Sequence, residues 1–153
     1  MPESPLEPCQ LGERVEDVMT PKPITVTPDV LVSQVFALMR ERRIRHVPVV
    51  DGNGALHGIV SQRDLLSPQS SSSSTPSSED ATIQEIMRDG ADTVLPECCA
   101  AEAARHMLRT KRGSLPVVDE NGLLVGIVTE ADFVRLAVRG QPPCTCSGVR
   151  GAG

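Results

Sequence analysis

Two places in this chain set a hydroxyl three residues ahead of a carboxylate. They are Ser61-Gln62-Arg63-Asp64 and Thr129-Glu130-Ala131-Asp132, and each follows the same tripeptide, Gly58-Ile59-Val60 or Gly126-Ile127-Val128. In both, a β-branched run gives way to a helix-forming one. The spacing supports two readings of the same atoms. In the first, Ser61 and Thr129 cap a helix, and Asp64 and Asp132 complete a capping box or favour the helix dipole. In the second, each carboxylate accepts two hydrogen bonds from the vicinal hydroxyls of a ribose. The adjacent hydroxyl and the N–H groups at the helix start then bind sugar or phosphate oxygens. Cations gather just before the strands that pair with these segments: Arg42, Arg43, Arg45 and His46 in one place, Lys111 and Arg112 in the other. Such a cluster is ordinarily a solvated face. Here it stands where it can reach a phosphate.

The elements that position these residues also occur twice. The offset from Gly58 to Gly126 is 126 − 58 = 68 residues. It takes Met19 to Met87, Pro28 to Pro96, Met39 to Met107 and Pro48-Val49-Val50-Asp51 to Pro116-Val117-Val118-Asp119. Aligned without a gap, 15–66 and 83–134 share 16 identities in 52 positions, where ordinary composition gives about 3. The chain is a tandem repeat whose halves work as one unit.

Each half predicts strand, helix, strand, strand, helix. In the first, Val15 to Thr20 forms a helical turn and Ile24 to Val26 a strand. Asp29 caps a helix from about Val30 to Arg43, with Leu31, Val35, Leu38 and Met39 on one face. His46 to Val50 and Leu56 to Val60 form a hairpin across Asp51-Gly52-Asn53-Gly54. In the second half a short helix covers Ile83 to Arg88, a strand Thr93 to Leu95 and a helix Glu97 to Thr110. A hairpin follows, from Leu115 to Val118 and Leu123 to Val128, then a last helix from Ala131 to Arg139. The organisation expected is a flexible lead over 1–12, one repeat over 13–67, a Ser-rich linker over 68–80, a second repeat over 81–139 and a disordered tail over 140–153. Half a chain of 153 residues buries little by itself. The expected architecture is therefore α+β, with two β-α-β-β-α units packed sheet to sheet about a pseudo-twofold axis.

Composition narrows the function. The net charge of −5 argues against binding driven by nucleic-acid phosphates. No apolar run reaches membrane-spanning length, and the first ten residues lack an apolar signal core, so a cytoplasmic protein is predicted. With no Trp or Tyr and only Phe36 and Phe133, a base-binding pocket must be aliphatic and use backbone contacts. The chain has no P-loop, no Gly-x-Ser-x-Gly and no His-Glu-x-x-His, so catalysis is not predicted. Five cysteines without a C-x-x-C pair give little support to a disulfide framework or a metal site. Cys98-Cys99 aligns with Val30-Leu31 and reads as small apolar substitution. His106 aligns with Leu38 and reads as a packing histidine.

At this point a family resemblance becomes specific. The run from Arg45-His46-Val47-Pro48-Val49-Val50-Asp51 to Gly58-Ile59-Val60-Ser61-Gln62-Arg63-Asp64 resembles a CBS domain, and two in tandem resemble a Bateman module. Asp17-Val18-Met19-Thr20 fits the family's usual opening. The likeness extends over about Val15 to Arg139. It is weaker at Arg88, which stands in the place of Thr20, and at Gly113-Ser114, which replace Arg45-His46. The resemblance implies ligand sensing: AMP, ADP, ATP, S-adenosylmethionine or NAD held in the cleft between the repeats, with energy sensing as the role. It assigns Asp64, Asp132, Ser61 and Thr129 to the ribose. The base would lie against the backbone and aliphatic groups of Ile24, Thr25, Val47, Pro48, Ile59, Thr93, Leu115, Pro116 and Ile127. Phosphate would fall to some of Arg43, Arg45, His46, Arg63, Lys111 and Arg112. Asp132 is expected to contribute less than Asp64, because its own repeat lacks the Arg-His pair. The implied partners are the adenosyl ligand, a second copy of the chain and a regulated enzyme or transporter. Two other readings stand beside this one: a ligand-free dimerisation or docking module, and a redox sensor working through its cysteines.

Overall fold

The computed structural model describes residues 13–66 and 81–139. The elements run α1 (Val15–Val18), β1 (Thr20–Pro21), α2 (Val32–Arg42), β2 (His46–Val50), β3 (Leu56–Ser61) and α3 (Gln62–Leu66). A 3₁₀ turn at Ile83–Glu85 opens the second half. It leads to β4 (Arg88–Asp89), α4 (Ala100–Thr110), β5 (Ser114–Val118), β6 (Leu124–Thr129) and α5 (Glu130–Val138). The lead, the Ser-rich linker and the tail lie outside the described residues.

The hairpins follow directly from the sequence. β2 and β3 pair antiparallel with His46 opposite Ser61, and β5 and β6 with Ser114 opposite Thr129. The turns are tied by aspartates. Asp51 Oδ1 accepts the N–H of Asn53 at 2.8 Å and of Ala55 at 3.0 Å, and Asp119 Oδ1 does the same for Asn121 and Leu123 at 2.9 and 3.0 Å. Gly54 and Gly122 supply the positive φ, +87° and +81°. Each hairpin buries one face under a helix. Val32, Val35 and Met39 of α2, at i, i+3 and i+7, face inward, as do Ala100, Ala103 and Met107 of α4. Both helices end on a cationic residue in the left-handed region, Arg43 and Lys111, each with φ +56°.

The repeats exchange their first segments. Val15 and Val18 of α1 belong to the core of the second half, with Ala103, Met107, Leu115, Val117 and Val128. Ile83 belongs to the core of the first half, with Val35, Met39, Val47, Val49 and Val60. The strands follow the same rule: β1 pairs with β6 and β4 with β3, giving sheets ordered β1-β6-β5 and β2-β3-β4. Backbone hydrogen bonds hold both exchanges in twofold-related pairs. Val15 N–H reaches Cys98 O and Ile83 N–H reaches Val30 O, both at 2.8 Å, while Ala100 N–H reaches Glu13 O at 3.0 Å and Val32 N–H reaches Ala81 O at 2.8 Å. The hairpin tips also join, through Leu56 N–H to Gly122 O at 3.3 Å and Leu124 N–H to Gly54 O at 3.0 Å.

The α+β tandem architecture agrees with the expectation, and several elements differ in detail. The strands expected over Ile24–Val26 and Thr93–Leu95 shrink to single parallel bridges, Val26 to Val49 and Val94 to Val117. Prolines on both sides of Ile24–Val26 leave little backbone to extend a ladder. Asp29 does not cap α2. It accepts the Thr27 hydroxyl, and the helix begins after Leu31, whose N–H meets Gln34 Oε1 at 3.1 Å. Arg88 leaves its expected helix for β4.

Candidate functional site

The candidate site begins where β3 and β6 hand over to α3 and α5. In both places the capping geometry forms. Asp64 Oδ2 accepts the Ser61 N–H at 3.0 Å, and Asp64 N–H donates to Ser61 Oγ at 3.1 Å. Asp132 Oδ2 accepts the Thr129 N–H at 2.8 Å and the Thr129 hydroxyl at 3.2 Å. The second carboxylate is also held from the side: Arg135 Nη1 donates to Asp132 Oδ1 at 2.6 Å. Asp132 is 5% exposed, whereas Asp64 is half-buried.

Two cavities open beside these carboxylates. One, of about 560 Å³, is lined by Thr129, Asp132, Ile127 and Arg135 from the second half and by Lys22, Ile24, Arg43, Arg45 and His46 from the first. The other, of about 660 Å³, brings Ser61, Arg63 and Asp64 together with Arg45 and His46, and with Lys111, Arg112 and Glu130 across the repeat boundary. The cross-repeat arrangement follows from the exchange. β1 runs along β6, so the stretch after it, Lys22 to Ile24, passes in front of Ile127 and Asp132. The left-handed turn at Arg43 then brings Arg43 and Arg45 to the same mouth.

His46 lines both cavities. It packs so closely on Gly113 that a Cβ there would lie 3.0 Å from Nε2. Burial pushes its pKa down from the ordinary 6.5; Glu130 and Asp64 oppose that shift and Arg45 adds to it. The ring is therefore neutral at neutral pH and stands among charged groups of both repeats.

The predicted residues divide by burial. Asp132, Thr129, Ile24, Ile127, Arg43, Arg45 and His46 meet around one cavity, and Ser61, Asp64, Arg63, Lys111 and Arg112 around the other. Val47, Pro48, Leu115 and Pro116 are fully buried, with Val47 and Leu115 in the two cores, which leaves their backbone as the part a base could meet. Thr25 and Thr93 are exposed, Ile59 is half-buried, and none of the three lines either cavity. The geometry also removes the reason for ranking Asp132 below Asp64, because Arg45 and His46 serve the Asp132 cavity from the other repeat. Lys22, Glu130 and Arg135 were not anticipated. Arg135 had a usable signal, its i, i+3 spacing from Asp132 on a helix; Lys22 had none. Cys98 is a free, half-buried thiol whose pKa is raised by burial and by Glu102. Cys99, read as an apolar substitution, is disulfide-bonded. His106 is partly buried, as its place on the helix face suggested, and pairs with Asp92 at 2.9 Å. Among the described residues no cluster suited to a metal ion occurs, and no helix is long and apolar enough to cross a membrane.

Comparison with known proteins gives a consistent picture. The family model for the CBS domain matches twice, over 15–70 and 79–139. Inosine-5'-monophosphate dehydrogenase of Mycobacterium tuberculosis is 36% identical over 127 residues; the match covers 82% of this chain and 22% of that enzyme. The chain thus spans about a fifth of the length of such relatives. The structure of CBSX2 in complex with AMP superposes with a TM-score of 0.73 at 31% identity, covering 83% of this chain and 97% of that one. The CBS domain pair of protein MJ0100, in complex with 5'-methylthioadenosine and S-adenosyl-L-methionine, gives 0.72 at 28%, covering 82% and 95%.

Proposed function

This chain belongs to the CBS domain family, and on that premise we propose that it is a regulatory module that binds an adenosine-containing ligand between its repeats and signals occupancy to a partner. One observation carries the reading. A single cavity joins a hydroxyl–carboxylate pair from one repeat, Thr129 and Asp132, to an aliphatic wall at Ile24 and Ile127 and to cations from the other repeat. A ribose, a base and a phosphate would each find a chemically matched wall there. Relatives of the same fold are seen with AMP and with S-adenosyl-L-methionine. Ligand binding would bridge the repeats, since its contacts come from both, and so couple occupancy to their relative position. The regulated partner is proposed to be an enzyme or transporter, and the working state a homodimer.

Titration calorimetry with AMP, ADP, ATP, S-adenosylmethionine and NAD tests the reading. Asp132→Ala is expected to weaken binding at its cavity about tenfold or more, the loss of a hydrogen bond to a charged group. Asp64→Ala should act similarly on the other cavity. A 2'-deoxy ligand should lose affinity on the wild type and not on the variant. If both variants bind every ligand as the wild type does, the ribose assignment is wrong. A second reading has its own support: both carboxylates already serve as helix caps, which a ligand-free docking module would need equally. That reading requires no heat from any adenosyl compound. Light scattering on the same samples tests the dimer, and a monomer mass with and without ligand would overturn it.

A further inference from the structure

The Asp132 carboxylate is held by a cation on its own helix. Asp132 is almost wholly buried and its oxygens are divided. Oδ2 takes the Thr129 N–H and hydroxyl, and Oδ1 takes the Arg135 guanidinium at 2.6 Å. Arg135 reaches in from a largely exposed position, with 69% of its side chain accessible against 4% for Asp132. Asp132 thus carries a cation on the oxygen that Thr129 leaves open.

A ribose that approaches Asp132 competes with Arg135 for Oδ1. A neutral ligand gives Arg135 nothing in return, and a cation stripped of its partner beside Lys22, Arg43 and Arg45 is a poorer state than the one it left. A ligand that carries phosphate changes the balance. Guanidinium matches phosphate oxygens as a two-pronged donor, so Arg135 can exchange one anion for another while the ribose takes Asp132. The rest of the cavity agrees. Four cations, Lys22, Arg43, Arg45 and Arg135, line it against two carboxylates, Glu130 and Asp132.

We propose that Arg135 is a specificity-determining residue that releases Asp132 to a ligand bearing a phosphate, so that this cavity takes adenosine phosphates in preference to adenosine and to S-adenosylmethionine, whose sulfonium and ammonium are repelled by the surrounding cations. The proposal rests on the ribose reading above and names the ligand class for one of its two cavities.

Calorimetry on the full chain with adenosine, S-adenosylmethionine, AMP and ADP tests it, the Asp132 cavity being identified as the binding step lost in Asp132→Ala. The wild type should favour AMP over adenosine there by about tenfold or more, the worth of a hydrogen bond between charged groups. In Arg135→Gln, AMP should weaken while adenosine binds as well or better, bringing the two toward parity. Arg135→Lys, which keeps the charge and loses the fork, should recover part of the preference. Arg135 is exposed enough for these changes to leave the fold intact, and a thermal melt of each variant verifies that. Equal weakening of adenosine and AMP in Arg135→Gln would reduce the residue to a structural role. An unchanged ratio, or a wild type that binds S-adenosylmethionine or adenosine as tightly as AMP, would overturn the proposal and leave the ribose reading standing. Failure of the wild type to bind any of the four would remove both.

Discussion

His46 carries more consequences than any other single side chain outside the caps. Its imidazole is buried against Gly113, and its pKa lies below 6.5 mainly because the charged form loses solvent there. Between 6.5 and the lowered folded value, the unfolded chain holds a proton that the folded chain does not. Stability therefore rises with pH across that window and is lost as pH falls through it. The expected result is a melting temperature that drops as pH is taken from 7.5 toward 5.5, and a flatter profile for His46→Gln. Equal slopes in the two proteins would show that His46 does not govern the effect. At this scale the sequence was partly legible. The Ser/Thr-x-x-Asp spacing announced both readings of the carboxylates, and the caps formed as spaced. Which side chains of β2 and β5 enter the cores was not legible, because a strand in which four successive residues are buried gives no alternation to tell the two faces apart.

Among the elements, β1 and β4 were hidden. Two-residue strands carry no period, and nothing in Thr20-Pro21 or Arg88-Asp89 names a partner strand. The hairpins were legible because β-branched runs and Asp-x-Asn-Gly turns act locally, whereas strand exchange is decided by contacts far apart in sequence. One glycine now marks the exchange. A Cβ on Gly126 would lie 2.5 Å from Met19 Sδ and 3.0 Å from Thr20 O. The sulfur can move aside; the backbone oxygen of β1 cannot without leaving β6. Gly126→Ala is expected to destabilise the protein by about 1–3 kcal/mol through overpacking, read by urea denaturation. Combining it with Met19→Ala should recover part of that loss, since one of the two clashes disappears. A neutral Gly126→Ala would mean that β1 is not held where the structure places it.

For the whole molecule, the exchange makes the repeats obligate companions. Each core contains fully buried residues supplied by the other repeat: Val15 in one and Ile83 in the other. Burying such a side chain contributes about 1.5–3 kcal/mol, a sizeable share of a small domain's stability. Separate fragments 13–66 and 81–139 should therefore be unfolded by circular dichroism, and mixing them should restore structure, because the exchanged segments need no continuous chain to dock. Independent folding of either fragment would contradict the exchange. The tandem repeat itself was plain from its constant offset, and the pseudo-twofold architecture followed from the inability of one half to cover its own sheet. Which half completes which cavity was not legible, since that depends on the exchange.

The crossed leading segments also set an order of events on the ribosome. Within the tandem pair α1 is made before α4, β5 and β6, which form its seat. The first hairpin can close as soon as it appears, but its core stays open until Ile83 has been synthesised. The nascent chain must therefore keep Val15 and Val18 unsatisfied until the second repeat has been made. Within the pair the segment made first docks last, and a product that stops before β6 would expose these apolar residues and mark itself as unfinished.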